Sequence, residues 1–185
     1  MVPILERHEE ILRQTAKEVP LKEISSPKIQ KVLKDMKVAL ASQDDGVAIA
    51  APQIGVPLRI FVVSGKVQNF MREEKEEEKT YPDMVFINPK ITKLSREKKM
   101  MEEGCLSVRY LYGKVKRSTK ASIEAYDEQG NFIKKGGSGL MAQIFQHETD
   151  HLDGILFVDT AIELEEIPPE KLKARSRATT KRDEQ

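Results

Sequence analysis

Residues 146–151, Gln-His-Glu-Thr-Asp-His, set His147 and His151 four positions apart with Glu148 directly after the first. On a helix that spacing brings both imidazoles to one face, a turn apart, where neutral ring nitrogens can hold a divalent ion. A carboxylate beside such an ion can take a proton from bound water, so the pattern predicts hydrolysis with Glu148 as acid and base. The chain has three histidines, and two of them fall in this pattern. Two imidazoles leave a tetrahedral catalytic site one protein ligand short. No histidine follows His151. The third donor is therefore either a downstream carboxylate (Glu163, Glu165 or Glu166), as in a metal-dependent endopeptidase, or Cys105. Cys105 is the better candidate, because a thiolate binds both zinc and ferrous iron strongly.

These residues need elements to hold them. A helix is expected over 140–152, with Gly154 as its stop, the glycine-rich run 136–139 breaking the chain before it, and Leu140, Ile144, His147 and His151 on its inner face. Residues 27–40 carry Ile29, Val32, Leu33, Met36, Ala39 and Leu40 at three- and four-residue intervals, the pattern of an amphipathic helix whose apolar stripe is core. Short β-branched runs at 58–64, 84–88 and 121–127 read as strands, the last followed by a hairpin turn at Glu128-Gln129-Gly130-Asn131. Residues 72–79 hold five glutamates and three basic residues and no apolar one, and read as the centre of a solvated, charged insertion spanning 65–83. The expected organisation is a single catalytic domain over 1–160 and a basic C-terminal tail over 161–185.

Composition narrows the classes. At 185 residues with a net charge of +1, one domain can bury roughly 70% of its unfolded surface, and nothing draws it globally toward nucleic acid or membrane. The single cysteine cannot form an internal bridge, which suits a reducing cytoplasm. The acidic and basic residues of 1–13 fit neither a signal peptide nor a transit peptide. The longest apolar stretch, 47–63, is interrupted by Pro52, Gln53, Gly55, Pro57 and Arg59 and is no transmembrane span.

Three separated blocks carry a family resemblance: Gly46-Val47-Ala48-Ile49-Ala50-Ala51-Pro52-Gln53-Ile54-Gly55, then Glu103-Gly104-Cys105-Leu106-Ser107, then Gln146-His147-Glu148-Thr149-Asp150-His151-Leu152-Asp153-Gly154. In order and spacing the chain resembles the peptide deformylases over about residues 4–159. The resemblance implies that Cys105, His147 and His151 hold the metal, that Glu148 is the acid/base, and that Gln53 with the backbone N–H of Leu106 stabilises the oxyanion. It further implies an α+β fold of antiparallel strands wrapped around a central metal-binding helix. The implied reaction is removal of the formyl group from the initiator methionine of nascent chains in the cytoplasm. The implied cofactor is one divalent ion, ferrous iron in the cell, with zinc, nickel or cobalt as alternatives. Glu103 and Arg117 are expected to form a supporting ion pair.

For the methionine side chain the apolar candidates are Val47, Leu140 and Ile144, and the peptide backbone would add in strand fashion along Gly46, Val47, Ala48 and Ile49. The basic tail, with six Lys and Arg and no acid over 171–182, could rest on ribosomal RNA without reading bases. Two positions depart from the family pattern. Ala48 stands where glycine is usual, and Arg109 where proline is common. Two competing readings are an endopeptidase built on the same histidines and a non-catalytic module whose ion only holds the fold.

Overall fold

The protein is described from a computed structural model covering residues 2–70 and 80–168. The sequence's charged 72–79 run and its basic 171–182 run lie outside the described residues. Helix α1 (Pro27–Ala41) starts where Ser26 accepts the Ile29 N–H on its hydroxyl at 3.3 Å, with Pro27 preset in the first turn. Five strands form one antiparallel sheet in the order β1 (Ala48–Ala50), β2 (Ile60–Val63), β3 (Met84–Leu94), β6 (Lys120–Tyr126) and β7 (Phe132–Ser138). A second antiparallel sheet joins β4 (Lys98–Cys105), β5 (Val108–Ser118) and β8 (Ile162–Glu166). Helix α3 (Gly139–Leu152) lies on the five-stranded sheet, and the short α2 (Lys66–Phe70) follows β2.

Alternation along the strands splits the core between two helices. Ala48, Ala50, Phe61, Val63, Phe86 and Ile123 face α3 and pack on Met141, Ala142, Phe145 and Leu152. Their neighbours Ile49, Ile60, Val62, Val85 and Ile87 point the opposite way, onto Ile29, Leu33, Met36 and Leu40 of α1. Phe86 anchors the α3 side: Phe61 stacks on it at 4.7 Å between centroids and Phe145 meets it edge-on at 5.4 Å. A third apolar cluster, Leu12, Val108, Val115, Leu156 and Phe157, seats the second sheet, with Cys105 against it.

Several sequence expectations are corrected. The glycine run 136–139 is not a break: Gly136 and Gly137 pair with Ser122 and Ala121 inside β7. A Cβ on Gly137 would stand 2.7 Å from Met141 Cγ, so glycine there lets the strand pass close under the start of α3. On α3, Ile144 and His151 are buried as expected, Met141, Phe145 and Leu152 are buried with them, and Leu140 and His147 are only half-buried. The proposed boundary at 160 also moves, because Ile162–Glu166 pairs as β8 with β5 and Ile167 is buried. Likewise 66–70, inside the supposed insertion, is helical, with Val67 buried in the core facing α3. Among the described residues no helix is long and apolar enough to cross a membrane.

Candidate metal centre and cleft

The i, i+4 spacing on α3 puts the His147 and His151 rings 5.0 Å apart. The third member arrives from β4, whose last residue, Cys105, is brought beside α3 by the β4–β5 hairpin. Its Sγ lies 3.1 Å from His151 Nε2, and among the described residues only Cys105, His147 and His151 gather as candidate ligands, their donor atoms all within 4.8 Å of one another. Donors of one ion at 2.0–2.3 Å would stand roughly 3.5 Å apart, so these side chains need only small adjustments to close on a metal. Glu163, Glu165 and Glu166 are exposed on β8 and take no part.

The surroundings fit a cation. Glu103 sits 3.0 Å from His147 Nδ1, leaving Nε2 for a metal, and metal-binding histidines are generally held this way by a carboxylate. Arg117 grips both Glu103 oxygens, at 2.8 and 3.0 Å, and donates to Asp150 at 2.6 Å. The expected Glu103–Arg117 pair is therefore present and extends to Asp150, which its position three residues after His147 could have suggested. Burial pushes the Cys105 thiol up, but the charges and hydrogen bonds of His151 and His147 outweigh it and hold the thiol at about 5. Burial opposes ionisation of Glu103 as well, yet His147 and Arg117 bring it down to about 2. Burial raises the Glu148 carboxyl from its ordinary value, against the opposing pull of His147 and His151, which favours proton uptake at its oxygen. Two buried polar atoms here, Glu148 Oε2 and His151 Nδ1, have no hydrogen-bond partner. A thiolate, two imidazoles and an unpaired carboxylate oxygen together make a site that a divalent ion would complete.

Gln53 reaches the same place from the short 3₁₀ turn Ala51–Ile54 that follows β1. The Ala50 N–H donates to Gln53 Oε1 at 2.8 Å, which fixes the amide so that its NH₂ faces Ser107 Oγ at 3.0 Å and Cys105 Sγ at 3.6 Å. Gln53 and Ser107 are each 2% exposed, and the buried Ser107 partner had no signal in the sequence beyond its place after Cys105. A cleft runs from this cluster to the surface, lined by Gly46, Val47, Ala48, Leu106, Leu140, Ile144, Cys105, His147 and Glu148 among others. Ile49 does not line it. Its side chain is fully buried against α1, because successive side chains of a strand point to opposite faces, so only its backbone is placed to meet a peptide in strand fashion. Ala48 is absent from the left-handed positions, so its methyl group sits on ordinary strand backbone.

Comparison with known proteins agrees. A family model described as "Polypeptide deformylase" matches residues 1–166. The chain is 41% identical over 157 residues to peptide deformylase 1A, chloroplastic/mitochondrial, of Arabidopsis thaliana, covering 82% of this chain and 58% of that protein. It is 39% identical over 156 residues to peptide deformylase 2 of Clostridium acetobutylicum, covering 84% of this chain and 91% of that one. The chain thus spans less than two thirds of the plant relative's length and nearly all of the bacterial one's. Among solved structures, the Met-Ala-Ser-bound class I type b peptide deformylase from Acinetobacter baumannii matches with a TM-score of 0.75 at 32% identity, over 86% of this chain and 98% of that chain.

Proposed function

The chain belongs to the polypeptide deformylase family, and from that premise we propose that it hydrolyses the formamide at the N-terminal methionine of newly made polypeptides. The observation that carries this reading is the convergence of Cys105, His147 and His151 with the unpaired Glu148 Oε2 in one cleft. Cys105, His147 and His151 would hold a divalent ion, which would supply Lewis acidity and lower the pKa of water toward about 7. Ferrous iron fits this donor set in a reducing cytoplasm, with zinc, nickel or cobalt as substitutes.

The remaining work falls to the chain's own residues. Glu148, buried and raised, accepts the proton of the attacking water at Oε2 and passes it to the departing amine. Gln53 Nε2 and the backbone N–H of Leu106 donate to the former formyl oxygen as it gains charge, each worth about 3 kcal/mol in the transition state. Gln53 is ready for this because Ala50 already holds its other end. Val47, Leu140 and Ile144 receive the methionine side chain, where thioether packing provides affinity without demanding one sequence. The peptide backbone lies beside Gly46, Val47 and Ala48, since β1 is the outermost strand of its sheet. The basic residues 171–182 serve as a contact for ribosomal RNA.

Replacing Glu148 by Gln tests the central claim. Metal content, measured by elemental analysis, stays stoichiometric, while hydrolysis of formyl-Met-Ala-Ser falls by about a hundred- to ten-thousand-fold. Retained hydrolysis in that variant, or equal rates on the acetylated peptide, overturns the reading. An endopeptidase would instead cut unformylated chains internally.

A further inference from the structure

One cation ties the outer rim of the cleft together. Arg109, the second residue of β5, reaches across to the loop between α1 and β1. There its Nη1 donates to both Asp45 oxygens at 3.2 Å and its Nη2 donates to Gln43 Oε1. Asp45 and Arg109 line the same cleft as Cys105 and Glu148. Among the described residues that line it, Arg109 is the only lysine or arginine.

The backbone under Arg109 is built with some strain. Tyr110 takes φ +66, a left-handed conformation that costs a bulky residue about 1 kcal/mol or more. Its carbonyl accepts the Ile167 N–H at 2.7 Å, which ties this part of β5 to the chain beyond β8. The Arg109 side chain therefore springs from a fixed point on one wall of the cleft and ends on the other.

A peptide lying along Gly46–Ala48 with its formyl end at Cys105 advances about 3.3 Å per residue, so the residues behind the methionine pass Gly46 and Asp45. We propose that Arg109 is a specificity-determining residue which, by neutralising Asp45, keeps the cleft open to acidic residues at the second and third positions of the substrate. This rests on the deformylase reading above. Without Arg109, Asp45 would face the peptide without the guanidinium that neutralises it, repelling acidic peptides and drawing in lysine-bearing ones.

The test compares kcat/KM for formyl-Met-Ala-Glu and formyl-Met-Ala-Lys, together with calorimetric binding of the product peptides Met-Ala-Glu and Met-Ala-Lys to the metal-loaded protein. Arg109→Gln is expected to lower the Glu-to-Lys ratio about fivefold, through KM, a size set by the worth of exposed ion pairs. Asp45→Asn is expected to raise the ratio, and both effects should shrink in about 0.5 M salt. A ratio unmoved by Arg109→Gln, or moved the same way by Asp45→Asn, overturns the proposal. Product binding separates the two claims. If the unaltered protein hydrolyses no formyl peptide while the product ratios still shift, the deformylase reading fails and the role of the rim stands.

Discussion

Two arginines of the same strand hold carboxylates in different ways. Arg117 lies behind the metal ligands with 9% of its side chain exposed against 2% for Glu103, whereas Arg109 lies at the mouth, 33% exposed against 56% for Asp45. The inner pair is gripped through two nitrogens and continues to His147 on one side and Asp150 on the other. The outer pair is monodentate at the arginine and faces water. Burial decides the difference. In a low dielectric, removing one partner strands a charge, so the inner network fixes one geometry; in water the outer pair is worth little and can yield to a passing peptide.

Breaking the inner pair should give the largest effect. Glu103→Ala leaves Arg117 buried without its main partner and is expected to cost about 3–5 kcal/mol, read by urea unfolding of the metal-loaded protein. A loss below 1 kcal/mol would erase the contrast between the two arginines. Next in size, Glu103→Gln keeps the shape but weakens the hold on His147, and metal affinity should fall about 10- to 100-fold in competition with a chelator.

Acid sharpens the same comparison. The Glu103 carboxyl is lowered from its ordinary 4.5 to about 2, so its contribution to stability is complete above about 4.5 and is lost as the pH falls toward 2. Unfolding measured across that window should steepen with acid in the unaltered protein and flatten in Glu103→Gln. The smallest effect belongs to the rim: Arg109→Gln should change stability by less than about 1 kcal/mol, with the change screened by salt.

How much of this could be read from the chain depends on how local each signal is. His147, Glu148 and His151 lie within one and a half turns, so helical periodicity alone brings them together. Helix α1 and strand β6 were legible for the same reason, since their apolar residues repeat at the period of the element, and β2 was legible as an unbroken apolar run buried on both faces. The β4–β5 hairpin was not, because Lys98–Cys105 mixes Lys, Met and Glu without clean alternation and five of its eight residues face water. Gly136 and Gly137 look like a break in isolation, yet they are a strand chosen for close contact with α3. Ile49 shares a run with Val47 and Ala48, and only the pleat sends its side chain away from the cleft.

The sequence by itself determined a two-histidine grip with a proton acceptor beside it, because that arrangement is written into the geometry of a single helix. It also nominated Cys105, on donor chemistry rather than position. The tertiary structure alone decided that a hairpin carries Cys105 to His151, that Arg117 reaches Glu103 and Asp150 together, and that Arg109 crosses the cleft to Asp45. Those contacts join residues 14 to 64 positions apart. Strand register and the packing of one sheet against α3 set such distances, and no local periodicity encodes them.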